Sequence, residues 1–212
     1  MNTIENEYKF VNYFSDGREY YYKMLISFLD KNGIKYSVSE KNYTDSFYDT
    51  EDLEITKKEC FLRKRDRGKC GALTVKKPVS SKGMLSRVEI EEPFDGICNK
   101  EMIEKFCKKN LGKMILSDNP ILLMNTIRST FKFVSNDKVK LTFDDCQYYD
   151  DPFKFNFLEI ELEIVSNKEE LEFDLVDIRQ FITKELNFIP VTESKFSRGM
   201  KWKKSLPKHP SY

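Results

Sequence analysis

Histidine is all but missing from this chain: a single copy, His209, stands among 212 residues. That excludes histidine-based catalytic triads and His-rich zinc sites, so any acid–base or metal chemistry falls to carboxylates. The five cysteines (Cys60, Cys70, Cys98, Cys107 and Cys146) are odd in number, scattered, and never spaced C-x-x-C. A disulfide framework or a zinc knuckle does not fit that pattern; reduced thiols in a cytosol do. No apolar run approaches the ~20 residues that a membrane span needs. The opening MNTIENEYKF lacks the basic-then-apolar layout of a secretory signal. Net charge is nearly absent as well, because 36 basic side chains oppose 35 acidic ones and leave +1. Bulk electrostatics therefore gives no support to nucleic-acid or membrane binding. The expectation is a cytoplasmic protein.

What remains is apolar material and segregated charge. Apolar residues at 40% and aromatics at 14% are enough for a real core, and the length suits one large domain. Residues 4–11 read as a strand, 15–33 as a helix stopped by Gly33, and 44–50 as a short strand. Strands over 60–67 and 72–78 join through GKCG, a good hairpin loop without the frame of a P-loop, and 86–93 follows as another strand. The segment 99–112 is a helix capped by Asn99 and ended by Gly112. Beyond Pro120 come LLMNTIRSTFKFV and KVKLTFDD as a strand pair, then 154–165 as the strongest strand, then a final helix over 167–188. The sum is about eight strands with helices between groups of them: a domain over 1–200 and a tail over 201–212. Eight antiparallel strands are enough to close a barrel around filled or ligand-sized space.

Successive side chains of a strand point to opposite faces, so parity sorts the charges. In FLEIELEI, Leu158, Ile160, Leu162 and Ile164 make one face and Glu159, Glu161 and Glu163 the other. Arg63, Arg65 and Arg67 share a face, as do Arg128, Thr130 and Lys132, and Lys140, Thr142 and Asp144. Glu5, Glu7 and Lys9 stand together in ENEYK. A merely wet face intersperses opposite charges within each strand, whereas here carboxylates stack in some strands and arginines in others. The row Glu159, Glu161, Glu163 should repel itself unless a cation sits among its members. Such carboxylates are the hard oxygen ligands that Mg²⁺ or Mn²⁺ prefers, and arginine forks suit phosphate oxygens. The sheet is therefore expected to turn its apolar faces outward under helices and its charged faces inward.

Taken in order along the chain, these motifs resemble those of the CYTH domain, the triphosphate tunnel metalloenzyme superfamily. Glu5-Asn6-Glu7-Tyr8-Lys9 is similar to its E-x-E-x-K signature, and FYDTEDLEITKKECFLRKR to its Y-F-D-T…L-R-x-R segment. LTVKKP, RVEIEE and FLEIELEI resemble its next three strand motifs, and SKFSRG (194–199) its closing S-K-x-x-R-G. Asn6 departs from the usual apolar residue, and Glu163 extends E-x-E to the E-x-E-x-E form of the superfamily's RNA triphosphatases.

The resemblance implies an α+β fold: an eight-stranded antiparallel β-barrel, the triphosphate tunnel, with helices packed outside. It implies hydrolysis of a triphosphate with Mg²⁺ or Mn²⁺. Glu5, Glu7, Glu159 and Glu161 match the metal ligands, with Glu163 added to that set. Asp144 matches an aspartate serving a second metal or its water, with Asp145 next door an alternative register. Lys9, Arg63, Arg65, Lys76, Arg87, Arg128, Lys140, Lys195 and Arg198 match basic tunnel positions, and Lys9, Asp144, Glu159 and Glu161 are the catalytic candidates. Inorganic triphosphate is the preferred substrate, since charge reads phosphates and no base-recognition signature is present. The alternatives are a class IV adenylyl cyclase, an RNA 5′-triphosphatase, and a non-catalytic polyphosphate or nucleotide binding module. The partner is thus a triphosphate-bearing small molecule, with no membrane, and nucleic acid only as an RNA 5′ end. Phe61, Phe155 and Phe157 share the inward parity and are expected to plug one barrel end rather than stack an adenine.

Overall fold

Long runs of strict alternation make strands, and here they make nearly the whole molecule. The computed structural model describes residues 2–4, 6–13, 17–78, 87–134, 139–164 and 172–207. Among these, one antiparallel sheet contains β1 (Asn2–Ile4), β2 (Asn6–Asn12), β3 (Tyr36–Tyr48), β4 (Phe61–Asp66), β5 (Cys70–Pro78), β6 (Arg87–Asp95), β7 (Leu122–Phe133), β8 (Val139–Asp150), β9 (Phe153–Ile164) and β10 (Ile189–Val191). The helices are α1 (Arg18–Lys31), the single turn α2 (Glu54–Lys57), α3 (Lys100–Leu111), α4 (Glu172–Gln180), continued by a π-turn over Phe181–Glu185, and α5 (Lys195–Ser205). The α+β class and the antiparallel sheet agree with the sequence reading.

The hydrogen-bonded order is β1-β6-β5-β4-β3-β7-β8-β9-β2-β10, a ten-stranded ladder with two ends. The expected closed eight-stranded barrel is corrected to that extent. The ladder ends at β10, which pairs Ile189–Val191 with Lys9–Val11 on the edge of β2 away from β9. β6 pairs instead with β1 (Thr3 opposite Glu89), while β2 pairs with β9 (Lys9 opposite Glu161). Since β1 and β2 are separated in the chain only by residue 5, the N-terminal run contributes to both sides of the sheet.

Both faces of the sheet are buried, for different reasons. α1, α4 and the π-turn after it pack Leu25, Leu29, Ile178 and Ile182 on Phe131, Leu141, Phe143, Leu158, Ile160 and Leu162. α3 packs Ile103 and Phe106 on Leu62, Leu73 and Val75. Asn99 caps α3 by accepting from the Met102 backbone N–H, and Gly112 ends it at φ 94°, a conformation costly for any residue with a Cβ. The opposite face carries the charge. Asp49 of FYDT is structural: its buried carboxylate accepts the backbone N–H groups of Thr50, Ile55 and Thr56 and the Thr56 hydroxyl, which holds the turn into α2.

Three elements differ from the sequence reading. β3 begins at Tyr36 rather than near 44, because its first half (Ser37, Ser39, Glu40, Lys41) is polar and exposed and shows no apolar alternation. β10 was not expected; its three residues offer no period. α5 extends through Trp202, which stacks on Tyr148 at 5.6 Å, where the reading placed a tail over 201–212.

Candidate functional site

Register builds the site. Along one row of the ladder, Val11 stands opposite Glu159, Glu159 opposite Asp144, and Asp144 opposite Arg128. The next inward row runs Lys9–Glu161–Thr142, and the next Glu7–Glu163–Lys140. The apolar residues between them, Leu158, Ile160 and Leu162, must face the helices, and the carboxylates are thereby turned to the other side.

α5 completes the row from above. Ser194 caps it by accepting the Ser197 N–H, so Lys195 and Arg198, three residues apart, project from its first turn onto the sheet. Gly199 lets the helix sit close, since a Cβ there would lie 2.4 Å from Leu122 and 2.9 Å from Tyr148. The Tyr148 hydroxyl donates to the Lys195 carbonyl at 2.6 Å and fixes the helix start. This is the physical content of S-K-x-x-R-G.

The Lys195 ammonium lies 3.0 Å from Asp144 Oδ2 and 2.9 Å from Glu161 Oε1, and it also contacts Glu159 Oε1. Arg128 donates from Nε and Nη2 to Asp144 at 2.7 and 2.5 Å and from Nη2 to Glu161 at 2.8 Å. Arg198 donates to Glu159 Oε2. Asp144 and Glu159 are wholly buried. The repulsion expected along the carboxylate row is thus answered by the protein's own cations. Burial pushes the Glu159 carboxyl up, to about 7, against the pull of Lys195 and Arg198. Burial opposes ionisation of Glu161 too, but Lys195, Arg128 and Lys9 outweigh it and hold that carboxyl well below its usual range. The two glutamates are pushed apart, although they are neighbours on one strand.

A second cluster occupies β3 to β6. Arg65 grips the buried Asp45 with two bonds at 2.8 and 2.7 Å. Arg63 donates to Thr74 at 3.1 Å and to Glu89 at 3.4 Å, and Lys76 lies 3.1 Å from Glu89. Lys9 pairs with Glu7 at 2.6 Å, and Lys140 with Glu163 nearer the solvent. At the end beneath α5, Phe61 and Phe157 pack with Phe47, Leu122, Tyr148 and Phe196, and Phe155 lies against them; they form the plug.

The structure therefore brings Arg128, Asp144, Glu159, Glu161, Lys195 and Arg198 together, and it places Lys9, Glu7, Lys140, Glu163, Arg63, Arg65 and Lys76 on the same face. Asp144 points inward, whereas Asp145 lies on the opposite face under the charge of Arg18. Glu5, the Arg87 side chain and His209 lie outside the described residues. The sequence reading missed Asp45, Glu89 and Tyr43. Asp45 was detectable: it shares parity with Phe47 and Asp49 in TDSFYDT, an acid where the apolar series belongs. Among the described residues, no group of three or more acidic, cysteine or histidine side chains is already arranged to hold a metal ion.

A model of the CYTH domain matches residues 18–198. Among solved structures, HpAC1 from Hippeastrum, a candidate adenylyl cyclase with a dominant triphosphatase activity, aligns at TM-score 0.60 and 18% identity, covering 95% of this chain and 96% of that one. A candidate adenylate cyclase from Bacillus halodurans aligns at 0.57 and 17% identity, covering 93% and 97%. The PH1819 protein of Pyrococcus horikoshii aligns at 0.52 and 17% identity, covering 94% and 99%. At such identities the likeness is one of fold. No curated protein matches the chain.

Proposed function

The chain belongs to the CYTH domain family, and on that premise we propose that it is a divalent-metal-dependent triphosphatase that prefers inorganic triphosphate. The observation that carries this reading is the convergence of Asp144, Glu159 and Glu161 on one ammonium, with Arg128 and Arg198 alongside. Carboxylate oxygens drawn to a single cation fit a hard ion such as Mg²⁺ or Mn²⁺. Glu5, Glu7, Glu159 and Glu161 would hold it, with Glu163 further out, and Asp144 would serve a second ion or its water. When bound, such an ion offsets charge on phosphate oxygens and lowers the pKa of a water.

The chain's own contribution is electrostatic. Lys9, Arg63, Arg65, Lys76, Arg128, Lys140, Lys195 and Arg198 each already have a carboxylate partner, so phosphate oxygens bind there by exchange for carboxylate oxygens. Lys195, Arg128 and Arg198 hold one stretch of the substrate, and Arg63 and Arg65 the other. Once that exchange is made, the donors are held around the substrate and stabilise charge developing in the transition state. The aromatic plug packs Phe61 on Phe196 and Phe155 on Trp202 of α5, so these rings are engaged within the protein, which supports a phosphate reader over a cyclase.

The test is a panel of inorganic triphosphate, ATP, thiamine triphosphate and RNA 5′-triphosphate with Mg²⁺ or Mn²⁺, with phosphate and cyclic AMP read in parallel. Inorganic triphosphate should be cleaved to pyrophosphate and phosphate at least as efficiently as ATP, with no cyclic AMP. EDTA or Glu161→Ala should abolish turnover. Cyclic AMP from ATP, with inorganic triphosphate inert, would assign the chain to the cyclases instead.

A further inference from the structure

Among the described residues, four buried side-chain donor groups have no hydrogen-bond partner: Arg18 Nε, Tyr43 Oη, Arg63 Nε and Arg198 Nε. Arg18 sits on the helix-covered side beside Glu40 and Ser129. The other three face the charged interior, and Tyr43 is the one whose whole polar inventory is unmet. A buried hydroxyl without a partner costs stability, so its persistence calls for an explanation.

Tyr43 is placed by β3, on the inward parity with Asp45 and Phe47, and is only 7% exposed. Its ring carries the Arg65 guanidinium at 3.7 Å from the centroid, with Arg128 at 5.9 Å. It therefore stands between the two clusters, the Asp45–Arg65 pair on one side and the Arg128–Asp144 pair on the other. Burial, and then the charge of Asp144, push its hydroxyl up from the ordinary tyrosine range, so it stays a donor at any working pH. Arginines on both sides are donors only and cannot accept from it. The neighbouring Asp45 and Asp144 oxygens are already gripped by those arginines.

We propose that the Tyr43 hydroxyl is a substrate-binding group that donates to a phosphate oxygen of the triphosphate as the chain passes from the Lys195–Arg128 cluster to the Arg63–Arg65 cluster. The proposal rests on the triphosphate reading above. An anion bound there meets a neutral donor at the junction of two cationic groups. Tyr43 thus adds a contact that no count of basic residues would include, and it makes the affinity of the site depend on one oxygen atom.

Tyr43→Phe tests this cleanly, because it keeps the ring beneath Arg65 and removes only the hydroxyl. The probe is the bis-methylene analogue of triphosphate with Mg²⁺, whose P–C links are not hydrolysed, titrated calorimetrically into wild type and variant. The variant should bind about tenfold or more weakly, as expected for loss of a hydrogen bond to a charged group. Its melting temperature without ligand should be unchanged or higher. Tyr43→Leu, which also removes the ring, should instead melt lower. Equal affinity of wild type and Tyr43→Phe would overturn the proposal and leave the triphosphatase reading standing. A lowered melting temperature in Tyr43→Phe would also overturn it, by showing that the hydroxyl has a structural partner. Failure of wild type to bind the analogue would overturn the triphosphate reading and this proposal with it.

Discussion

Replacing Lys195 with methionine keeps the side-chain stem and removes the charge on which three carboxylates converge. Asp144, Glu159 and Glu161 are balanced by Lys195, Arg128 and Arg198, so the cluster is close to neutral as it stands. Lys195→Met leaves it one negative charge in excess, with Asp144 and Glu159 fully buried. Breaking a buried ion pair costs about 3–5 kcal/mol. Each carboxylate here keeps a second partner, which argues for the lower end, about 3 kcal/mol. For a chain of this size that corresponds to a fall of ~6–12 °C in melting temperature. Mg²⁺ should restore much of the loss, and its stabilising shift should be larger in the variant than in wild type, where it competes with the ammonium.

The excess charge can also be relieved by a proton. A carboxyl pKa raised in the folded state means that stability rises as pH falls, so the variant's deficit should narrow on acidification. The assay is thermal unfolding of both proteins with EDTA and with Mg²⁺ at several pH values. A metal-free variant that melts with wild type, or a Mg²⁺ shift no larger in the variant, would refute the reasoning that these carboxylates share one cation.

The Asp45–Arg65 pair gives a prediction about acid. Burial opposes ionisation of Asp45, but Arg63 and Arg65 outweigh it and lower its pKa. The stability it adds is present above the ordinary aspartate value of about 4 and is lost as pH falls through the lower folded value. The advantage of wild type over Asp45→Asn in urea unfolding should therefore shrink below about pH 4; a constant difference would mean that Asp45 is not ionised in the fold. Arg65→Ala should cost stability as well as substrate affinity, since it strips a wholly buried carboxylate of its bidentate partner. Leu62→Ala, on the other face against Leu73 and Val75, should cost ~2–5 kcal/mol and leave affinity for the triphosphate analogue unchanged; weakened binding would mean that the two faces are not independent.

Much of this arrangement could be read in advance because β-strand parity is a local rule. Once FLEIELEI is a strand, Leu158, Ile160 and Leu162 oppose Glu159 and Glu161 whatever the partners, and the same holds for Arg63 and Arg65 against Leu62. Parity also separates Asp144 from Asp145, although it cannot say which one faces the glutamates. The early part of β3 escaped because its exposed side chains carry no apolar alternation, and Asp45 and Tyr43 lay in or beside a strand whose inward face was not recognised.

By itself the sequence determined which side chains share a face, where carboxylates stack without interspersed charge, and that a single His209 is too few for a histidine-rich site. Those properties follow from the two-residue period of a strand and from composition, and neither needs a distant contact. Only the tertiary structure decided which cation meets which carboxylate. Ladder register set Asp144 opposite both Glu159 and Arg128. The docking of α5 brought Lys195 to Glu161 across a sequence separation of 34. β10 took the edge of β2 away from β9. Pairings of that kind depend on how separate strands and helices fit in space, which no local period encodes.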